Sequence, residues 1–402
     1  MITSSAPRPG AATAPGPPRR RALPRIVRHR APTGALLALA LFAAVRTAGI
    51  AAVIAVNALT DRPLVRNLAH SWDSRWYLHI AAHGYGRLIW ITPTGGVQSD
   101  WAFFPLYPAL IRATAAVLPV GQAAAALLIA WTAAVVAAYG VYLIGHLLYG
   151  RATATALVVL WAVLPHAVEL TIAYTESLFA ALAAWSLYSV LKGRWLWAGA
   201  LALLAGLARP TGFAVAVAVI AAAAQQLWPR RGQAAPAVWA AAVIAPLGWL
   251  GHVLRVGHST GDLTGGYFAV QGAWGSRIDF GAGAARFVGA LLEHGGKVVY
   301  PVALAIVLVC LVLFGLLCLE RAPLALLVFT GVLVLLVICG SGSFSSKPRF
   351  LLPAFPLLVP AARALAHTWR RRPAAACLIG GALTAVSVLY GAYVTVLVHS
   401  PL

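Results

Sequence analysis

Long apolar runs separated by short polar punctuation organise this chain. Eleven of them, most roughly 17 to 25 residues long, fall at about 34–58, 121–148, 152–170, 174–191, 196–208, 211–228, 236–256, 299–319, 322–340, 350–366 and 374–397. Runs of that length cross a hydrocarbon core of about 30 Å as helix, and the ten-residue alternation of a membrane barrel is not seen. The pattern predicts an all-α polytopic membrane protein, a bundle of about 11 transmembrane helices. The run at 196–208 is short, which leaves a re-entrant pair with 211–228 open. A further stretch, 103–119, carries Pro105, Pro108 and Arg112. It reads as lying in, or dipping into, the outer interface rather than facing lipid as a span.

Between the first two spans the periodicity changes. Trp72, Trp76, His79 and His83 recur at spacings of four, three and four, and Gly84 follows as a stop. This predicts a short helix, anchored in the headgroup layer by its aromatics. The domain plan is a basic tail over 1–33 and one transmembrane domain over 34–402, with outer loops at 59–120 and 257–298. The second loop, Gly-rich and carrying Tyr267, Phe268, Trp274, Asp279 and His294, reads either as a cover over the acceptor or as a packing connection.

Composition agrees with the pattern. A chain that is 61% hydrophobic and 10% charged, with a mean hydropathy of +0.85, has too little polar surface to face water on all sides. The four cysteines, Cys310, Cys318, Cys339 and Cys377, lie within apolar runs without a C-x-x-C pair, so neither a disulfide framework nor a zinc site is indicated. The net charge of +21 suggests nucleic acid at first sight, but its placement points to the membrane. Seven arginines fall in the first 33 residues, ahead of a hydrophobic helix longer than a signal-peptide core. By the positive-inside rule the N-terminus is cytoplasmic. With 103–119 not crossing, Arg151, Lys192 with Arg194, Arg230 with Arg231, and Arg370 to Arg372 all fall on the cytoplasmic side; if it crosses, the middle clusters fall outside.

That topology sorts the acids. Of nine, eight (Asp61, Asp73, Asp100, Glu169, Glu176, Asp262, Asp279 and Glu293) fall on the outer side or at outer helix ends, and Glu320 alone is inside. Any chemistry therefore faces the outside of a plasma membrane. Asp73, between two tryptophans in S-W-D-S-R-W-Y, is either a reactive carboxylate or a surface acid of an exposed loop. His79 and His83, at i and i+4, could hold a divalent metal, but no H-E-x-x-H pattern or flanking acid supports it. W-A-F-F-P-L-Y-P (Trp101 to Pro108) forms a rigid aromatic wall or an ordinary interfacial anchor. In A-Y-T-E-S-L-F, Glu176 enters an apolar helix at its N-terminal end, where a functional role competes with a capping one. Glu169 and His166, just before it, are ionisable groups at membrane depth and so candidates for substrate contact. In A-R-P-T-G and S-S-K-P-R-F, Arg209, Lys347 and Arg349 either snorkel or bind phosphate on the side where positive charge is disfavoured.

Taken in order, W-D-x-x-W-Y-x-x-I-A-x-x-G-Y, F-F-P-L-Y-P, Y-T-E-S-L-F and A-R-P-T-G on a multispanning chain resemble the PIG-V-like mannosyltransferases. The resemblance is densest from Trp72 to Gly212 and thin afterwards. It implies the GT-C membrane glycosyltransferase architecture and transfer of mannose from a polyprenyl-phosphate-linked donor to an acceptor hydroxyl at the outer face. Eukaryotic members act on the glycosylphosphatidylinositol anchor. The Arg/Ala/Gly-rich composition here looks bacterial, so a glycolipid, lipoglycan or glycoprotein is the expected acceptor.

The residues can be read the same way from chemistry. An outward-facing transferase cannot draw on cytoplasmic nucleotide sugars, and no G-x-G-x-x-G loop or P-loop is seen. Asp73 would act as general base in one inverting displacement. Arg209, Lys347 and Arg349, with Arg75 in reserve, would meet the departing lipid phosphate. Glu176 would orient sugar hydroxyls, and Trp72, Trp76 and Tyr77 would stack on the sugar or the prenyl chain. No cofactor is required by the scheme. The other readings are a transferase of another polyprenyl-linked sugar, a lipid or sugar transporter, and a noncatalytic subunit of an envelope assembly.

Overall fold

A computed structural model describes residues 34–60, 68–91, 96–228 and 235–398. The basic tail, Asp61, Arg230 and Arg231 lie outside the described residues, which belong to one unit, Pro32–Leu402. The chain opens with α1 (Ala35–Thr60) and the short α2 (Asp73–His83). Gly84, at φ 81°, ends α2 in a conformation a side chain would resist. An antiparallel hairpin follows, β1 (Ile89–Ile91) on β2 (Val97–Ser99), then α3 (Leu106–Val117). Asp100 is fully buried under this hairpin and accepts from the backbone N–H groups of Gly86, Arg87 and Leu88 at 3.0–3.2 Å. Its role is to close the loop.

The central helices are α4 (Gln122–Tyr149), α5 (Arg151–Ala162), α6 (Glu176–Leu191), α7 (Trp195–Ala208) and α8 (Phe213–Leu227). They are followed by α9 (Pro236–Ile244), α10 (Leu247–Thr260), α11 (Gly266–Ala273) and α12 (Ala282–His294). Then come α13 (Val299–Leu319), α14 (Leu324–Cys339), α15 (Lys347–Leu351), α16 (Val359–Arg371) and α17 (Pro373–Ala392). Small residues let these helices close on one another. A Cβ on Gly145 would stand 2.9 Å from the Ala154 Cα, and one on Gly199 would stand 2.9 Å from the Ala241 Cα. The α4–α5 and α7–α9 contacts therefore bring backbone near backbone.

The expected count of 11 spans is not confirmed. Among the described residues six helices are long and apolar enough to cross a membrane, and a seventh is counted if Phe344–Leu351 and Phe355–Arg371, bent by 78°, make one span. The other four expected spans are the shorter helices α5, α6, α7 and α14. The expected run 152–170 is α-helical only to Ala162; its last eight residues are turns and the short 3-10 helix Ala167–Leu170. The 103–119 stretch forms the 12-residue α3, about 18 Å long and too short to cross. Its Arg112 donates to the carbonyls of Ala81 (2.6 Å) and Ala82 (3.2 Å), holding the C-terminal end of α2. The 257–298 segment is largely helical, with α11 and α12 inside it. Asp262 accepts from the N–H groups of Thr264 (3.1 Å) and Gly265 (2.8 Å), and these bonds hold its carboxyl below the usual range.

Between α5 and α6 the chain leaves α-helix for 13 residues, 163–175, with one short 3-10 turn at Ala167–Leu170, and 166–175 are all buried. Irregular backbone inside a membrane protein has to find its hydrogen bonds in protein. Here Arg46 of α1 donates to the carbonyls of Ala167 (2.5 Å) and Ala162 (2.6 Å), Trp131 Nε1 donates to Thr171 O at 2.9 Å, and Ala173 N donates to Leu68 O at 2.8 Å. This stretch carries His166 and Glu169 and delivers Glu176 to the start of α6.

Candidate functional site

Four charged side chains from four separate parts of the sequence meet. Asp73 is the first residue of α2, Glu176 the first of α6, Arg209 sits in extended backbone between α7 and α8, and Arg349 lies in α15. Arg349 spans both carboxylates: Nη2 is 2.5 Å from Asp73 Oδ2 and Nε is 2.5 Å from Glu176 Oε1. Arg209 Nη1 reaches the same Glu176 oxygen at 2.8 Å. The order Asp73, Arg349, Glu176, Arg209 alternates in sign, and its formal charges cancel.

Burial is graded along the cluster. Side-chain exposure is 23% at Asp73, 11% at Arg349, 3% at Arg209 and zero at Glu176. Asp73 and the edge of Arg349 are therefore the accessible part of the cluster, and Glu176, fully buried, pairs with both arginines. Aromatic rings hold the guanidinium groups: Arg349 lies 4.7 Å from the Tyr174 ring centre, and Arg209 lies 5.7 Å from Phe179 and 5.6 Å from Phe350. Buried ion pairs are poor stabilisers compared with apolar packing, so four charges kept in this position indicate work beyond folding.

Local backbone places Asp73. Trp72, which precedes it, has φ 41° and ψ −112°, a strained conformation for a bulky residue. Its indole packs with Val53, Leu68, Val168, Ile172 and Tyr174, which keep the turn in this shape. The Asp73 N–H donates to Tyr174 Oη at 3.4 Å. One turn on, Tyr77 Oη lies 3.4 Å from Thr175 Oγ1, and its ring packs edge-on against Phe103 and Tyr107. Burial, reinforced by the Asp73 charge, pushes the Tyr77 phenol well above its ordinary range, so the hydroxyl keeps its proton. Trp76 stacks on Phe103 at 5.5 Å and meets the edge of Trp274 at 4.9 Å. Trp274 Nε1 in turn donates to Ser99 O at 3.2 Å.

The sequence candidates divide accordingly. Asp73, Glu176, Arg209 and Arg349 come together, with Trp72 and Tyr77 beside them. Trp76 is half-buried in the adjoining aromatic group, and Arg75 is exposed on α2. Lys347 is placed elsewhere in its chemistry: its buried ammonium donates to the carbonyls of Val337 and Gly340, the latter at 2.7 Å, capping the end of α14. Glu169 and His166 are buried in the irregular stretch behind the cluster. The His79 and His83 rings lie 4.7 Å apart, tilted by 50°, and among the described residues no group of three or more His, Cys, Asp or Glu side chains could hold a metal ion. Tyr174 and Thr175 were missed, although they stand directly before Glu176 in its motif. Arg46 was missed because an arginine inside the first apolar run carries no motif.

No family model and no curated protein matches this chain. Solved structures do match. The apo oligosaccharyltransferase of Archaeoglobus fulgidus superposes with a TM-score of 0.53 at 14% identity, covering 91% of this chain and 56% of that one. The oligosaccharyltransferase AglB from the same organism, in complex with an inhibitory peptide and a dolichol-phosphate, superposes with a TM-score of 0.50 at 15% identity, again over 91% and 56%. This chain thus spans a little over half the length of those proteins. The likeness shows the fold alone: this chain shares the helical membrane architecture of those two structures.

Proposed function

We propose that this protein is a membrane glycosyltransferase that moves a sugar, mannose in the sharper reading, from a polyprenyl phosphate to an acceptor hydroxyl at the outer membrane face. The observation that carries the reading is the Asp73–Arg349–Glu176–Arg209 cluster on a GT-C fold: a carboxylate at the accessible end, backed by two guanidinium groups. The acceptor oxygen attacks the anomeric carbon while the bond from that carbon to the phosphate oxygen breaks. The bonding pair leaves on the phosphate, and Asp73 takes the acceptor proton. Arg349, backed by Arg209, meets the charge that grows on the departing phosphate. Glu176 supplies the counter-charge that keeps both arginines aligned before the phosphate arrives.

One further feature supports a lipid-borne donor. One structural neighbour was solved with a dolichol-phosphate, a phosphate on a long isoprenoid. Nothing in the cluster selects mannose over another polyprenyl-linked sugar, and that second reading fits the same geometry.

The test is transfer of radiolabelled mannose from polyprenyl-phosphate-mannose into membrane lipids and proteins, with wild-type and Asp73→Asn membranes at matched expression. Label that depends on Asp73 supports the reading, and the labelled product gives the acceptor. Equal label from both, above a membrane blank, removes Asp73 as the base. If neither exceeds the blank, the same assay with other polyprenyl-linked sugars decides between the two readings.

A further inference from the structure

Behind the charged cluster lies a group of polar atoms without partners. Glu169 is fully buried with neither carboxyl oxygen hydrogen-bonded, and His166, 3% exposed, has neither ring nitrogen bonded. Tyr390 of α17 brings a third, its buried hydroxyl also unpartnered. These five atoms belong together. Glu169 N donates to His166 O at 3.1 Å within one 3-10 turn, and the His166 and Tyr390 rings are 5.4 Å apart. Tyr390 belongs to the same packed group as Val168 and Tyr174, and the Tyr174 ring lies 4.7 Å from the Arg349 guanidinium, so the three groups adjoin the charged cluster.

An orphaned buried polar group is destabilising, and five in one place call for a partner. Nor is the surrounding backbone in want of partners, because Arg46, Trp131 and Leu68 satisfy the irregular stretch that carries Glu169. The side chains alone are left over. A carboxyl, an imidazole and a phenol offer donors and acceptors together, which suits a ligand bearing several hydroxyls rather than a simple ion.

We infer that His166, Glu169 and Tyr390 form the subsite that holds the hydroxyl groups of the transferred sugar. This rests on the glycosyltransferase reading above and adds to it the side of the cluster on which the sugar lies. The sugar's anomeric carbon is bonded to the phosphate at Arg349, so its ring must lie next to that arginine. The cluster offers partly exposed Asp73 to the acceptor and the unpartnered groups of His166, Glu169 and Tyr390 to the sugar.

Lipid affinity separates the possibilities. Purified full-length protein in detergent is titrated with two short-chain lipids, polyprenyl phosphate and polyprenyl-phosphate-mannose, in wild type and in the Glu169→Gln and Tyr390→Phe variants. Tyr390→Phe removes one hydroxyl and leaves the ring, so it tests the inference even if Glu169→Gln fails to fold. The expected result is a roughly tenfold loss of affinity for the sugar-bearing lipid, as for one lost buried hydrogen bond, and less than about twofold for the sugar-free one. Equal loss for both lipids, or no loss for either, overturns the inference and leaves the phosphate site standing. If the wild type binds neither lipid, the glycosyltransferase reading fails and this inference falls with it. Binding of the sugar-free lipid alone overturns a mannose subsite while keeping the lipid-phosphate reading.

Discussion

Arg349 and Asp73 stand 276 positions apart in the chain and meet at 2.5 Å. The pair joins the start of α2 to the short α15, and its geometry makes a first prediction. Asp73→Asn removes the proton acceptor and lowers the transfer rate on the order of 10²–10⁴-fold. Arg349→Lys cannot bridge two carboxylates with one ammonium and also loses most activity. In a double-mutant cycle on transfer rate, the two losses combine to much less than their product. Simple multiplication of the effects would mean that the residues work independently.

Glu176 is where folding and function conflict. Glu176→Ala takes the acid partner from buried Arg209 and one of two from Arg349, and about 3–5 kcal/mol of stability should go with it. Asp73→Ala removes a partner that is 23% exposed and should lower the thermal midpoint in detergent far less. Pairing Glu176→Gln with Arg209→Met should recover part of the lost midpoint without recovering transfer. Melting curves of the four proteins decide this, and equal midpoints for Glu176→Ala and Asp73→Ala would refute the graded burial.

Arg46 tests the irregular stretch. Arg46→Met keeps an apolar stem but leaves the carbonyls of Ala162 and Ala167 without their donor, at about 1–3 kcal/mol each. Protease susceptibility within 163–175 should rise as the melting temperature falls. A midpoint unchanged from wild type would show that other groups hold those carbonyls.

Sidedness can be read by labelling. In a protein whose four cysteines are changed to alanine, Leu292→Cys, 78% exposed on α12, should react in intact cells with a maleimide that cannot cross membranes. His367→Cys, exposed beside Arg370 on α16, should react only after the cells are opened. The reverse pattern would turn the topology over.

Which of these features the sequence disclosed depended on how local their causes are. The α2 helix was legible because its aromatic spacing and Gly84 lie within 13 residues, 72–84. The span count was not. Helices such as α6 and α7 bury much of their surface on other helices, so an apolar run no longer measures the bilayer alone. Lys347 and Arg349 looked equivalent, two cations around one proline, and only the fold turns one toward the end of α14 and the other toward Asp73. Glu176 was legible as a special acid, but its service to two arginines depends on contacts with positions 209 and 349 that no spacing encodes.

The distance between Asp73 and Arg349 along the chain also sets a clock. At about 5–20 residues per second, a ribosome needs roughly 14–55 s to make the 276 positions that separate them. Arg209 emerges soon after Glu176 and can neutralise it early, whereas Asp73 waits for nearly the whole protein. Until then the nascent chain holds a carboxylate without its guanidinium. Biogenesis thus assembles the centre last, and a truncated product released before Arg349 carries the acid without the means to use it.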